Sequence, residues 1–249
     1  MKIALITSGQ PRFTPDFITT MQQLKGFDQA DIYMTLWTSE WAETEEQARR
    51  KVERVLLPNY KLAKVVVCDQ PAYELPPHDI DLEPARPENV LWWADRRFGF
   101  WNGLKMTYDL IDQEYDAIIK FRLDGRLFED LDVSKLDLVN NELLYQDYAR
   151  AGFDNYRHCD LFIVGTKKGM EFYCSLSDHL TDLIPIADPC WFYRFNGTWS
   201  NEHLVGVYHM MNNKTQVFGN FKCHINSNGR SRYTDHHFHH GILPDPTEI

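Results

Sequence analysis

Asp116-Ala-Ile-Ile-Lys-Phe-Arg-Leu-Asp124-Gly-Arg126 is the stretch whose reading decides the fold. Ala117 to Leu123 has the length and apolar content of a buried strand. It runs into a charged turn, Arg122-x-Asp124-Gly-Arg126, that sets an acid between two guanidinium groups. Open α/β sheets bind ligands beyond the carboxyl ends of their strands. A carboxylate there can hold a divalent cation or a sugar hydroxyl, and an Arg fork grips phosphate oxygens in bidentate fashion. The combination suits a sugar attached to a diphosphate. The competing reading is an ordinary surface ion pair following a strand.

Outward from this point the chain alternates strand and helix. Ile3 to Thr7 reads as a strand followed by the breaker-rich loop Ser8-Gly9-Gln10-Pro11-Arg12. Thr14-Pro15 opens a helix with Phe17, Met21 and Leu24 on one face, and Gly26 closes it. Asp31 to Trp37 is a second strand. Thr44 and Gln47 stand at capping-box spacing ahead of the stripe Ala48, Val52, Val55. Lys64 to Cys68 is a third strand, and a proline-rich loop spans 69–88. Asn89 caps a long helix with Leu91, Ala94, Phe98, Trp101, Leu104, Tyr108 and Ile111 at helical spacing. Strand–helix–strand repetition implies a largely parallel sheet with crossover helices. Beyond it, Glu142 to Tyr145 and Leu161 to Val164 read as strands and Lys168 to Leu183 as one helix. Asn201 to Met211 reads as another helix, and Thr215 to Phe218 and Lys222 to Ile225 as short strands.

With 249 residues, 43% of them hydrophobic, the chain has ample core for a single domain. Its net charge of −10 and scattered basic residues disfavour a duplex nucleic acid as principal partner. No apolar run reaches the length of a membrane span. The start, Met-Lys-Ile-Ala-Leu-Ile-Thr, does not read as a signal peptide, so a cytoplasmic protein is expected. Five widely spaced cysteines, with no C-x-x-C pair, suggest reduced thiols rather than a zinc knuckle or disulfide framework.

No G-x-x-x-x-G-K-[ST] or G-x-G-x-x-G occurs, which removes the two commonest nucleotide-binding loops. Instead, Ile-Thr-Ser8-Gly9-Gln10-Pro-Arg12 resembles the opening of a loosely defined group of viral and bacterial glycosyltransferase-like proteins. Asp31-Ile-Tyr-Met-Thr-Leu-Trp37 resembles the group's second strand, and Tyr115-Asp116-Ala-Ile-Ile-Lys-Phe-Arg122-Leu-Asp124 its "Y-D-x-v-I-x-x-R-x-D" segment. Cys159-Asp160-Leu-Phe-Ile-Val-Gly165 is similar to a further strand, and Ser200-Asn-Glu202-His-Leu204 to a helix start. The resemblance implies one GT-A-like (Rossmann-like) α/β domain, a mostly parallel central sheet flanked by helices. Residues 1–126 would form its nucleotide-sugar half and 127–249 a less regular acceptor half.

The roles implied follow residue by residue. Ser8, Gly9, Gln10, Arg12, Arg97, Asn102, Arg122, Asp124 and Arg126 become candidates for the nucleotide-sugar donor, and Asp160 and Glu202 for acid or base work on the acceptor. At the head of a helix, Glu202 would also be favoured by the helix dipole, with or without a catalytic role. The Asp-x-Asp that commonly holds Mn2+ or Mg2+ in such enzymes is Arg122-Leu-Asp124 here. Metal dependence therefore stays open, with Asp124 and His224 as candidate ligands. The acceptor is a saccharide, a lipid-linked sugar, a protein or a modified nucleobase. The alternative from another class is a catalytically silent nucleotide-sugar or carbohydrate-binding protein. A metal-dependent hydrolase using His224 and the tail His236-His237-Phe238-His239-His240 ranks last.

Overall fold

The computed structural model describes residues 1–11, 15–70, 87–127, 129–146, 162–183, 201–214, 217–219, 221 and 223–225. Of these, 15–16, 87–97, 146, 201–203, 218 and 223–225 are described by backbone alone. Eleven strands occur among the described residues: β1 (Lys2–Gly9), β2 (Leu24–Lys25), β3 (Gln29–Trp37), β4 (Tyr60–Cys68), β5 (Ala117–Phe121), β6 (Gly125–Leu127), β7 (Leu131–Asp132), β8 (Leu143–Gln146), β9 (Phe162–Gly165), β10 (Phe218–Gly219) and β11 (Cys223–Ile225). The described helices are α1 (Pro15–Gln23), α2 (Glu45–Glu53), α3 (Pro87–Asp109), α4 (Lys167–Ser175), α5 (Leu180–Leu183) and α6 (Asn201–Met211).

Seven of these strands form the central sheet in the order β4-β3-β1-β5-β9-β8-β10. The sheet is mostly parallel. β1 pairs in parallel with β3 and β5, β3 with β4, and β8 with β10. Among the described strands of this sheet, only β9 runs antiparallel to its neighbours, β5 and β8. This is the α/β class expected from the strand–helix alternation.

Both faces of the sheet are covered, so its inner strands read as near-continuous apolar runs. Alternate residues serve opposite layers. Ile3, Leu5, Ile32, Met34 and Ile119 pack with Phe17 and Met21 of α1 and Ala48 and Val52 of α2. Ala4, Ile6, Tyr33, Ile118 and Ile163 pack with Trp101 and Leu104 of α3, Met170 and Tyr173 of α4, and Leu204 and Tyr208 of α6. Trp101 is thus a core residue.

Local chemistry accounts for the element ends. Thr44 accepts from the Gln47 N–H at 3.3 Å to cap α2, and the Gln47 side chain accepts from the Glu43 N–H at 2.8 Å. The return arm of the capping box therefore closes one residue earlier than the usual pattern. Helix α3 begins at Pro87, a favoured first helical residue, so Asn89 lies inside the first turn rather than capping it. The single helix expected over Lys168 to Leu183 is broken by a 3-10 stretch, Leu176–His179, between α4 and α5. The proline-rich segment lies outside the described residues from 71 to 86.

Candidate functional site

The parallel register fixes which sequence segments share an edge. Ile6 of β1 pairs with Lys120 of β5, so Ser8-Gly9-Gln10 and Arg122-Leu-Asp124 leave adjacent strands at the same carboxyl edge. The glycine-containing bend and the guanidinium-flanked acid therefore stand side by side. Next along that edge are the ends of β3 and β4, joined where the Thr38 N–H donates to the Cys68 carbonyl at 2.9 Å.

Helix α3 lies flush on these strand ends because two glycines face them. A Cβ on Gly103 would fall 2.7 Å from the Trp37 ring and 3.2 Å from Ser8 Cβ, and one on Gly99 would fall 2.7 Å from the Gln70 amide. Further along, Thr107 donates to the Gly103 carbonyl at 2.7 Å and also reaches the Thr7 carbonyl at 3.3 Å. The amino-terminal half of α3, which includes Arg97, thus sits at the carboxyl edge. Gly9 has φ +110°, a backbone state that side chains disfavour, and a Cβ there would meet the Trp37 Nε1 at 3.8 Å, an ordinary van der Waals contact. The pair Gly99 and Gly103 has no place among the expected site residues. It is legible in the sequence only as an i, i+4 repeat of small residues inside an apolar helix.

Arg122 and Asp124 face each other. The Arg122 Nε donates to Asp124 Oδ1 and its Nη2 to Oδ2, both at 2.8 Å, and the pair is mostly shielded from solvent. The ion-pair reading of this turn is therefore realised, in bidentate form. Arg126 is exposed on β6, which pairs antiparallel with β11 so that Arg126 stands opposite His224 in the ladder. The Asn102 side-chain carbonyl accepts from the Ser177 hydroxyl at 2.6 Å, within the 3-10 stretch.

The direction of α6 follows from its far end. Lys214, just beyond it, pairs with Glu142 at 3.3 Å, and Leu143, next to Glu142, pairs with Gly165 at the amino edge. The first turn of α6, with Glu202, hence points toward the carboxyl edge. Phe162 pairs with Phe121 at that edge, two residues after Asp160. Asp160 itself, Arg12 and the His236–His240 tail lie outside the described residues.

The opposite edge holds a closed polar network. Buried Asp31 accepts from the Tyr115 hydroxyl at 2.8 Å, Gln113 at 3.1 Å and Gln29 at 3.0 Å, and Lys2 lies 3.3 Å away. Burial, with the hydrogen bonds to Tyr33 and Asp31, pushes the Tyr115 hydroxyl far above its ordinary range. Asp116 accepts from the Lys2 N–H at 2.7 Å. Asp31, Tyr115 and Asp116, all within the quoted motifs, thus fasten β1, β3 and β5 together at their starts. A cavity of about 230 Å³ with Tyr108, Gln113, Tyr115 and Lys167 in its wall opens at this edge, away from Arg122 and Asp124.

Among the described residues no group of three or more His, Cys, Asp or Glu side chains could hold a metal ion. Each Asp124 oxygen accepts one hydrogen bond from Arg122, and a carboxylate oxygen carries a further lone pair, so as an oxygen donor the carboxylate fits Mn2+ or Mg2+. Cys68 and Cys174 are free thiols, and burial raises both. No described helix is long and apolar enough to cross a membrane.

No family model matches the sequence, and no curated protein matches it. Among solved structures, the chain is similar to the glycosyltransferase GlyE of Streptococcus pneumoniae TIGR4, with 12% identity and a TM-score of 0.47. The match covers 88% of this chain and 46% of that one, so the chain spans less than half of that protein's length.

Proposed function

We propose that this protein is a glycosyltransferase on a GT-A-like sheet, moving a sugar from a nucleotide-diphosphate donor to an acceptor hydroxyl. The observation that carries the reading is the shared carboxyl edge: Ser8-Gly9-Gln10 and Arg122-Leu-Asp124 end adjacent parallel strands.

In the reaction the acceptor oxygen attacks the sugar C1, and the bond from C1 to the diphosphate oxygen breaks. The electron pair leaves with the diphosphate. The acceptor proton passes to a carboxylate, for which Glu202 and Asp160 are the candidates. Arg122 and Arg126 stabilise the departing charge, with Arg12 and Arg97 as further phosphate contacts. The open backbone at Gly9 lets the donor approach Ser8 and Gln10 closely. A bound Mn2+ or Mg2+, held by Asp124 and His224, would supply additional neutralisation of the diphosphate.

The second reading, a binding protein without turnover, is favoured by one observation: Arg122 replaces the first acid of Asp-x-Asp and closes on Asp124. One experiment separates the two. Melting temperature and hydrolysis are measured with UDP-, GDP- and CDP-sugars, with and without Mn2+, for the wild type and Asp124→Asn. The transferase reading expects a ligand-induced rise in melting temperature and slow hydrolysis, since binding to the native state raises apparent stability. The variant should lose both while its unliganded form still melts cooperatively, at a temperature lowered by the loss of the shielded Arg122–Asp124 pair. Stabilisation without turnover supports the binding protein. An Asp124→Asn variant that binds and turns over normally overturns the placement of the site.

A further inference from the structure

We infer that Lys120 is a buried positive charge that strengthens the carboxyl edge for a pyrophosphate group, an inference that rests on the donor-site reading above. Lys120 is 2% exposed, in a strand whose other residues, Ala117, Ile118, Ile119 and Phe121, are all buried and neutral. It is the one buried lysine or arginine among the described residues. Burying an ammonium costs far more than burying the methionine or leucine that would fit such a strand.

Its position tells where that charge acts. The Lys120 ammonium stands 4.8 Å from the centre of the Phe100 ring, a contact in which the ring face attracts the cation. Phe100 lies between Gly99, which meets Gln70, and Gly103, which meets Trp37 and Ser8. The ammonium therefore reaches the turn of α3 that rests on the carboxyl edge.

Lys120 is the next-to-last residue of β5 and Arg122 directly follows the strand, so their Cα atoms stand ~7 Å apart at the carboxyl edge. In the present arrangement the Asp124 carboxylate lies on Arg122. A pyrophosphate bridging to Arg122 brings two or more negative charges within the field of both cations. Because Lys120 is shielded from water, salt screens its field less than that of exposed Arg126. Lys120 touches no reacting atom. It acts through the field it adds beneath the donor phosphates.

The test uses the full chain as wild type, Lys120→Met and Lys120→Arg. Affinities for UDP, GDP, CDP and ADP are compared with those for the matching uncharged nucleosides. Lys120→Met should weaken the best diphosphate about tenfold, the scale of one nearby charge in a partly shielded site. Nucleoside affinity should stay unchanged, and Lys120→Arg should recover part of the loss. Equal weakening of both ligand types would mark a structural role and overturn the inference, as would unchanged diphosphate affinity. In the wild type, the 15N signal of the Lys120 ammonium should move with the diphosphate and not with the nucleoside. That measurement decides the matter if the methionine variant does not fold, and a signal that stays in place overturns the inference. A wild type that binds no nucleoside diphosphate overturns the donor-site reading itself. Binding that ignores Lys120 overturns this inference alone.

Discussion

At the amino edge of the sheet, Asp31, Tyr115, Gln113 and Lys2 direct their polar atoms at one another. At the carboxyl edge, the buried Ser8 hydroxyl has no hydrogen bond among the described residues, Gln10 is exposed and Arg126 faces solvent. The same strands supply both edges. Their starts carry groups that satisfy each other and so hold strand to strand. Their ends carry, beside the Arg122–Asp124 pair, the exposed polar side chains of Gln10 and Arg126. The contrast assigns different work to residues of one sequence motif. In Tyr115-Asp116-Ala-Ile-Ile-Lys-Phe-Arg122-Leu-Asp124, the first two residues fasten the sheet and the last three lie at the candidate site.

The contrast meets its hardest test when the acceptor at the amino edge is removed. Asp31→Ala leaves Tyr115, Gln113 and Lys2 without their shared carboxylate. It should cost about 3 kcal/mol in denaturant unfolding, the scale for stripping one partner from a buried charged network. Nucleotide-sugar affinity of the folded fraction should not change. Asp31→Asn, which keeps one acceptor oxygen, should lose less. If Asp31→Ala abolishes ligand binding in folded protein, the division between the edges is wrong.

Acid response offers a second comparison, because it should come from neither edge. The His209 ring is buried in mid-layer, its Nε2 2.7 Å from the Tyr145 hydroxyl, and burial lowers its pKa to about 4. The unfolded chain takes up this proton near the ordinary value of ~6.5, so unfolding is favoured as protons are added. Stability from this group is complete above pH ~6.5 and is lost as pH falls through about 4, at most about 3 kcal/mol. Denaturant melts between pH 7 and 4 should show the loss, and His209→Gln should flatten that part of the profile. An unchanged profile would assign the acid response to other groups.

A smaller effect bears on the carboxyl edge alone. Gly103→Val forces a branched side chain against Trp37 and Ser8, an overpacking that costs ~1–3 kcal/mol. Because the same contact seats α3 beside Ser8, ligand affinity should fall with stability, unlike in the Asp31 variants. Retained affinity in a destabilised Gly103→Val protein would show that the seating of α3 is irrelevant to the site.

The long elements are legible in the sequence because both their faces are buried and their periods are clear. β1, β3 and β5 announce themselves as apolar runs, and α6 matches Asn201 to Met211. The two-residue strands β2, β7 and β10 carry no period, since they exist only through a partner. β6 is hidden by Gly125 and Arg126, residues that read as a turn. The reversal of β9 is illegible because alternation within Phe162–Gly165 has no direction. At the site, Arg122 and Asp124 are visible as charges after an apolar run. Lys120 carries its own signal, a lone cation inside that run, but one polar residue does not disturb a strand pattern and so draws no notice. The helical break at Leu176–His179 keeps the apolar stripe, with Leu176 and Leu180 both buried, so periodicity passes over it.

Because β9 is reversed, β8 ends and β9 begins at the carboxyl edge, so Gln146 and Phe162 both stand there. Gln70, just past β4, stands at that edge against Gly99 of α3, and the first turn of α6 points toward it. The sheet is a fixed platform, and new partner preferences can be written into the chain on one side of it alone.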